Sequence, residues 1–161
     1  MGEGEILDLL NEFYVVKPGV SAEYMNKQLA AGRHLLITPG MYELSEPLHV
    51  TRPNTIILGI GWATLIPGEK NSDTAILVED VDGVTIASLM FDAHYTSNTL
   101  IQVGTEKTAQ RHIQNPILLT DLFFRIGGFR PAKVHVDRAV ELNSNDVIGD
   151  HFWIWRADHG V

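Results

Sequence analysis

The sequence predicts an all-β chain wound as a right-handed parallel β-helix, and three observations lead there. After residue 32 the 3.6-residue period vanishes, and short β-type runs separated by Gly, Pro, Asn and Asp take over. Apolar runs open at positions 56, 84, 117 and 147, at spacings of 28, 33 and 30 residues. Repeats of this length with no helix inside them are the mark of a β-solenoid. Three of the runs also break at the same offset. Val84 and Ile86, Ile117 and Leu119, and Val147 and Gly149 precede the break. Leu89 and Phe91, Leu122 and Phe124, and Phe152 and Ile154 follow it. A break at a fixed offset reads as a corner repeated in each coil, which a β-sandwich, the competing reading, has no reason to produce. The expectation is four to five coils stacked at about 4.8 Å, with the alternating residues filling one continuous core.

Two stretches carry helical patterning. Residues 5–14 place Ile6, Leu9, Leu10 and Phe13 at i, i+3, i+4 and i+7, which predicts a helix. Ser21 is a good N-cap, Glu23 lies in the first turn, and Gly32 suits the C′ position, which predicts a second helix over 22–31. Followed at once by His34-Leu-Leu-Ile-Thr38, this helix is placed to cover the first coil, whose open edge would otherwise recruit other chains. The expected organisation is one domain over 1–161, with a helical cap at 1–32 and coils over 33–161.

Composition sets the limits. The chain has 161 residues, 45% of them hydrophobic, and a net charge of −8. Such a balance excludes phosphate-backbone binding as the main task and disfavours an anionic membrane surface. The longest uncharged stretch, 53–68, has 16 residues including two Pro and three Gly, too short and too broken to span a bilayer. The absence of cysteine removes disulfides, thiolate metal sites and thiol nucleophiles. The start, Met1-Gly-Glu-Gly-Glu5, lacks a signal peptide's basic region and apolar run, as expected of a cytosolic, processed or subcloned segment.

Three catalytic or cofactor signatures fail. Gly59-Ile-Gly61 follows an apolar run, but Thr64 stands where a dinucleotide loop needs its third Gly, and Pro67 bars the helix. The seven His include no i, i+4 pair on a helix, so no metal is expected. None of the Ser lies in a Gly-x-Ser-x-Gly elbow. Nothing calls for a cofactor.

The opening His34-Leu-Leu-Ile-Thr-Pro-Gly-Met-Tyr42 resembles that of pectate-lyase-like right-handed β-helices. Residues 54–67, 121–128 and 145–160, above all Trp153-Ile-Trp-Arg-Ala-Asp-His-Gly160, are similar to glycoside hydrolase family 55, the exo-acting β-1,3-glucanases. The resemblance covers about residues 15–161. It implies inverting hydrolysis of a β-glucan or related polysaccharide from a chain end, in secreted proteins built of two β-helical domains. It also implies a general-acid Glu in a later Trp-Asn-Gly-Glu-type segment. This chain lacks that segment and is expected to be part of a longer protein, inactive alone. A non-catalytic carbohydrate-binding or structural β-helix is the alternative.

Inverting hydrolysis needs an acid and a base roughly 6.5–9.5 Å apart. The candidates are Asp158, Asp150 and Asp92. Asp121 and Asp150 equally suit coil corners, accepting backbone N–H bonds. Trp153 and Trp155 fall at outward offsets, as a sugar-stacking platform or as a surface covered by another segment. With Arg156 and His159 they are the candidate substrate-binding residues. Arg156 could hold Asp158 in a bidentate pair or bind a hydroxyl. A last coil left open after residues 138–161 predicts a homodimer or larger homo-oligomer joined there.

Overall fold

The computed structural model describes residues 6–71, 73–107, 109–127 and 134–155. Among them run β1 (Phe13–Val16), α1 (Ala22–Ala30), β2 (His34–Ile37), β3 (Gly40–Leu44), β4 (Leu48–Val50), β5 (Ile56–Gly59), β6 (Ala63–Pro67) and β7 (Ile76–Val78). After these come β8 (Thr85–Ala93), β9 (Ser97–Val103), β10 (Ile117–Ile126), β11 (Val136–Leu142) and β12 (Val147–Trp155). The larger sheet follows the path β1-β2-β5-β8-β10-β12, with β3 on β6 and β6 on β8. The smaller sheet runs β4-β7-β9-β11. Every ladder is parallel. From β8 onward the chain alternates between the sheets, and each return adds a strand beside the previous visit.

The offsets read from the sequence are the registers of the ladders. Ile86, Leu119 and Gly149 are neighbours, as are Leu89, Leu122 and Phe152, and Phe91, Phe124 and Ile154. All three runs lie in one sheet. Their inward side chains meet those of the smaller sheet, where Leu48, Ile76, Ile101 and Val140 form a second aliphatic column. Phe91 and Phe124 stack at 4.9 Å with planes 10° apart, and Phe152 closes edge-on against Phe124 at 6.0 Å. Each fully buried side chain of this size contributes about 1.5–3 kcal/mol by leaving water.

The repeated break is a left-handed residue. Ser88, Asp121 and His151 have φ of 57°, 53° and 56° and occupy equivalent rungs of β8, β10 and β12. One such residue turns the strand while the ladder continues on both sides of it. A second row of left-handed residues, Asn54, Gly83 and Asp146, stands just before β5, β8 and β12. There the Asn115 Nδ2 donates to Asn54 Oδ1 at 2.7 Å, and Gly83 leaves the space for that bond.

The helix expected over 22–31 forms, ending one residue earlier, as Ala22–Ala30. Ser21 accepts from the Tyr24 N–H at 3.2 Å, and Gly32 takes φ +88° just past the helix. Ala22, Met25 and Leu29 are buried beneath it. Asn26 also serves the edge of β4: its Oδ1 accepts from the His49 N–H at 2.8 Å and its Nδ2 donates to the Pro47 carbonyl at 2.8 Å. One side-chain amide thus stands in for a missing strand peptide.

The expected helix over 5–14 does not form among the described residues. Residues 9–12 make turns, and Phe13–Val16 pairs with β2 as a strand. Ile6 is 98% and Leu10 85% exposed, so the apolar stripe has no surface to cover. A helix of that length without tertiary support is marginal in water. The Tyr14-Val15-Val16 run gains a full parallel ladder and buries Val16 instead. No helix among the described residues is long and apolar enough to cross a membrane.

Candidate functional site

Parallel, in-register rungs place residues of equal offset side by side on the outer face of the larger sheet. One row is Met90, Phe123 and Trp153; the next is Asp92, Arg125 and Trp155. Trp62, in the turn between β5 and β6, joins them, so Trp62, Met90, Phe123, Arg125, Trp153 and Trp155 line a shallow groove. The groove continues past Gly61 and Ser88 to Asp121. Trp62, Trp153 and Trp155 are 72%, 63% and 52% exposed, which rules out a core role within this structure. Phe123 and Trp153 lie 5.7 Å apart with planes tilted by 55°.

Ion pairs fix the polar side chains along this face. Asp92 is fully buried beneath it; its Oδ2 pairs with Arg125 and lies 3.0 Å from His94 Nε2, while its Oδ1 is buried without a hydrogen-bond partner among the described residues. The hydrogen bond to Asp92 raises the Arg125 pKa further, keeping the guanidinium charged. At the corner, Asp121 pairs with His151 Nδ1, and that hydrogen bond raises the histidine's pKa. The sequence suggests that Asp121 accepts backbone N–H bonds; among the described residues its side chain instead meets the imidazole of the next rung. The backbone-accepting role falls to Asp146, whose Oδ2 takes the His112 N–H at 2.8 Å. Asp150 is exposed beside the Asp121–His151 pair.

Of the sequence-predicted residues, Trp153 and Trp155 lie together on the outer face, and Asp92 lies two strands away on β8, paired with Arg125 of the intervening β10. Arg156, Asp158 and His159 lie outside the described residues. Sequence reasoning missed Trp62, Phe123 and the Asp121–His151 pair. The signal for Trp62 was a Gly-x-Gly-Trp turn standing where later strands have their corner. No group of three His, Asp or Glu among the described residues is arranged to hold a metal ion. What the face offers is flat aromatic surface beside a guanidinium and a carboxylate–imidazole pair. Such a surface can stack the apolar face of a ring and hydrogen-bond its polar edge.

A model of the LAM55 pectate lyase-like domain matches residues 13–161. The chain belongs to this family. The resemblance to glycoside hydrolase family 55 expected from the motifs at 54–67, 121–128 and 145–160 is correct, and the matched range starts two residues earlier than the expected 15. This LAM55 domain is 49% identical over 159 residues to an exo-β-1,3-glucanase of Streptomyces sp. (strain SirexAA-E / ActE), covering 98% of this chain and 26% of that protein. It is also similar to two solved structures of sacteLam55A from Streptomyces sp. SirexAA-E, one an ensemble refinement of a glutamate-to-alanine variant in complex with glucose. Both match with a TM-score of 0.83 and 49% identity, over 92% of this chain and 26% of theirs. The LAM55 domain thus spans about a quarter of the length of the relatives it matches.

Proposed function

We propose that this chain is a right-handed parallel β-helix of four to five coils, a single domain over 1–161 capped by 1–32, and a portion of an exo-acting β-1,3-glucan hydrolase. The observation that carries this reading is its 49% identity to an exo-β-1,3-glucanase over 98% of its length. The winding is supported by the parallel ladders and the alternation of the chain between two sheets. The glucan lies along the outer face of the larger sheet. Glucosyl rings stack on Trp153 and Trp155, with Trp62 extending the platform, and Arg125, Arg156 and His159 take hydroxyls.

The chain alone binds glucan without hydrolysing it. A general acid must present its proton to the leaving oxygen. Asp92 is fully buried and ion-paired, and Asp121 is engaged by His151. Of the candidate carboxylates this leaves Asp150 and Asp158, and the Trp-Asn-Gly-Glu-type segment that the family resemblance implies for the acid does not occur in these 161 residues.

The test is titration of the 161-residue chain with laminarin, following tryptophan fluorescence and reducing-end release. Saturable quenching is expected, weakened roughly two- to tenfold in Trp153→Ala, as loss of one stacking contact implies. No reducing ends should appear. The absence of binding to any β-1,3-glucan would overturn the glucan reading. Turnover that survives repurification and falls in Asp150→Asn would overturn the inactivity of the chain.

One observation favours a second reading, a structural β-helix that self-associates. Among the described residues β12 has a strand partner on one side only, β10, and carries two exposed tryptophans. In the 161-residue polypeptide, an edge with no partner among the described residues and with apolar surface beside it suits pairing with a second copy. Sedimentation equilibrium should then show a dimer. A 17.9 kDa monomer at tens of micromolar would overturn this reading.

A further inference from the structure

We infer that a proton held on His112 fastens the loop over 109–115 to the loop after β7, and that losing this proton at rising pH loosens the loop around His112 as a one-sided clasp. The imidazole is completely buried, with Nδ1 2.6 Å from Asp82 Oδ1 and Nε2 2.9 Å from Asp80 Oδ1. A carboxylate only accepts hydrogen bonds, and a neutral imidazole donates through one nitrogen. Two carboxylates on two ring nitrogens therefore need both ring N–H groups, the imidazolium. A protonated carboxyl facing a neutral ring would store the same extra proton.

Among the described residues, the charged groups around the ring come from three segments. Asp80 and Asp82 follow β7. Asp146, just before β12, accepts the His112 backbone N–H. Arg111, from the loop itself, binds Asp146 through Nε and an Nη, both at 2.8 Å. Burial works against the His112 charge, but the hydrogen bonds to Asp80 and Asp82 prevail and raise its pKa.

A raised folded-state pKa gives the sign. The clasp is fully closed below the ordinary histidine value of about 6.5 and opens as pH climbs through the raised one. Above it, one ring nitrogen turns a lone pair toward a carboxylate, and the hold on the Asp80–Asp82 side falls back on two uncharged bonds, Gln110 Nε2 donating to the Asp80 carbonyl at 3.4 Å and the Gly83 N–H donating to the Asn115 carbonyl at 2.9 Å. The Arg111–Asp146 side keeps its charges throughout this range, so the loop stays anchored at the turn before β12 and at Asn115 and loosens between them, around His112.

The test is ring-proton NMR of His112 in the 161-residue chain from about pH 5 to about 9, with amide hydrogen exchange of the loop over the same range. The His112 midpoint should lie above about 6.5. Loop exchange, corrected for its intrinsic pH dependence, should step up through that midpoint while β8 and β10 stay protected. Asp80→Asn should lower the midpoint, and His112→Gln should abolish the exchange step. A midpoint at or below the ordinary value, loop exchange without a step, or a step that persists in His112→Gln would each overturn the clasp.

Discussion

Replacing Gly83 by alanine tests how the turns before the larger sheet are held together. Gly83 has φ +68°, and an added Cβ would lie 2.2 Å from Asn115 Nδ2 and 2.3 Å from Asn54 Oδ1. Those two atoms form the 2.7 Å bond between the flanking turns, so the methyl group would occupy its path. The left-handed conformation costs a residue with a Cβ about 1–2 kcal/mol. Losing the amide–amide bond costs a further ~0.5–1.5 kcal/mol. Gly83→Ala should therefore destabilise the chain by about 1.5–3.5 kcal/mol in urea unfolding. The two parts separate in a cycle with Asn115→Ala. That change alone removes only the bond, and in its presence Gly83→Ala loses only the backbone part. The double variant should be less destabilised than the sum of the singles by ~0.5–1.5 kcal/mol. Additivity within ~0.3 kcal/mol, or a Gly83→Ala cost below ~1 kcal/mol, would refute the reasoning.

Leu122, fully buried between Leu89 and Phe152 of the adjacent rungs, should cost ~2–5 kcal/mol on truncation to alanine, read by the same unfolding assay. A cost below ~1 kcal/mol would mean the column is not a packed interior. Asp146 gives the acid limb of the stability profile. Hydrogen bonding from Arg111 and from the His112 N–H outweighs partial desolvation and lowers its pKa to about 2. Its contribution is present above the unfolded-state value of about 3.9 and is lost as pH falls toward 2. Over that window wild type should lose stability faster than Asp146→Asn in acid titrations followed by circular dichroism; parallel profiles would rule the pairing out.

The repeat was legible in the sequence because its cause is local. Side-chain alternation and one turn-forming residue per strand follow from backbone geometry, so the runs at 84, 117 and 147 announced their own register. The cap helix was legible for the same reason: Ser21 and Gly32 act within a turn of the chain. The family motifs, continuous in sequence, could be read directly. What required the tertiary structure depends on which rung lies beside which. The Phe13–Val16 run is a strand because β2 offers it an edge, while the helical stripe before it finds no surface to cover. Asp92 meets Arg125 33 residues away, His112 meets Asp80 32 residues away, and Asn115 meets Asn54 61 residues away. Trp62 reaches the groove of Trp153 only because the stacked parallel strands bring distant turns onto one face. Such meetings follow from the summed lengths of the turns between strands. Turn length varies at little energetic cost, so no local pattern encodes it.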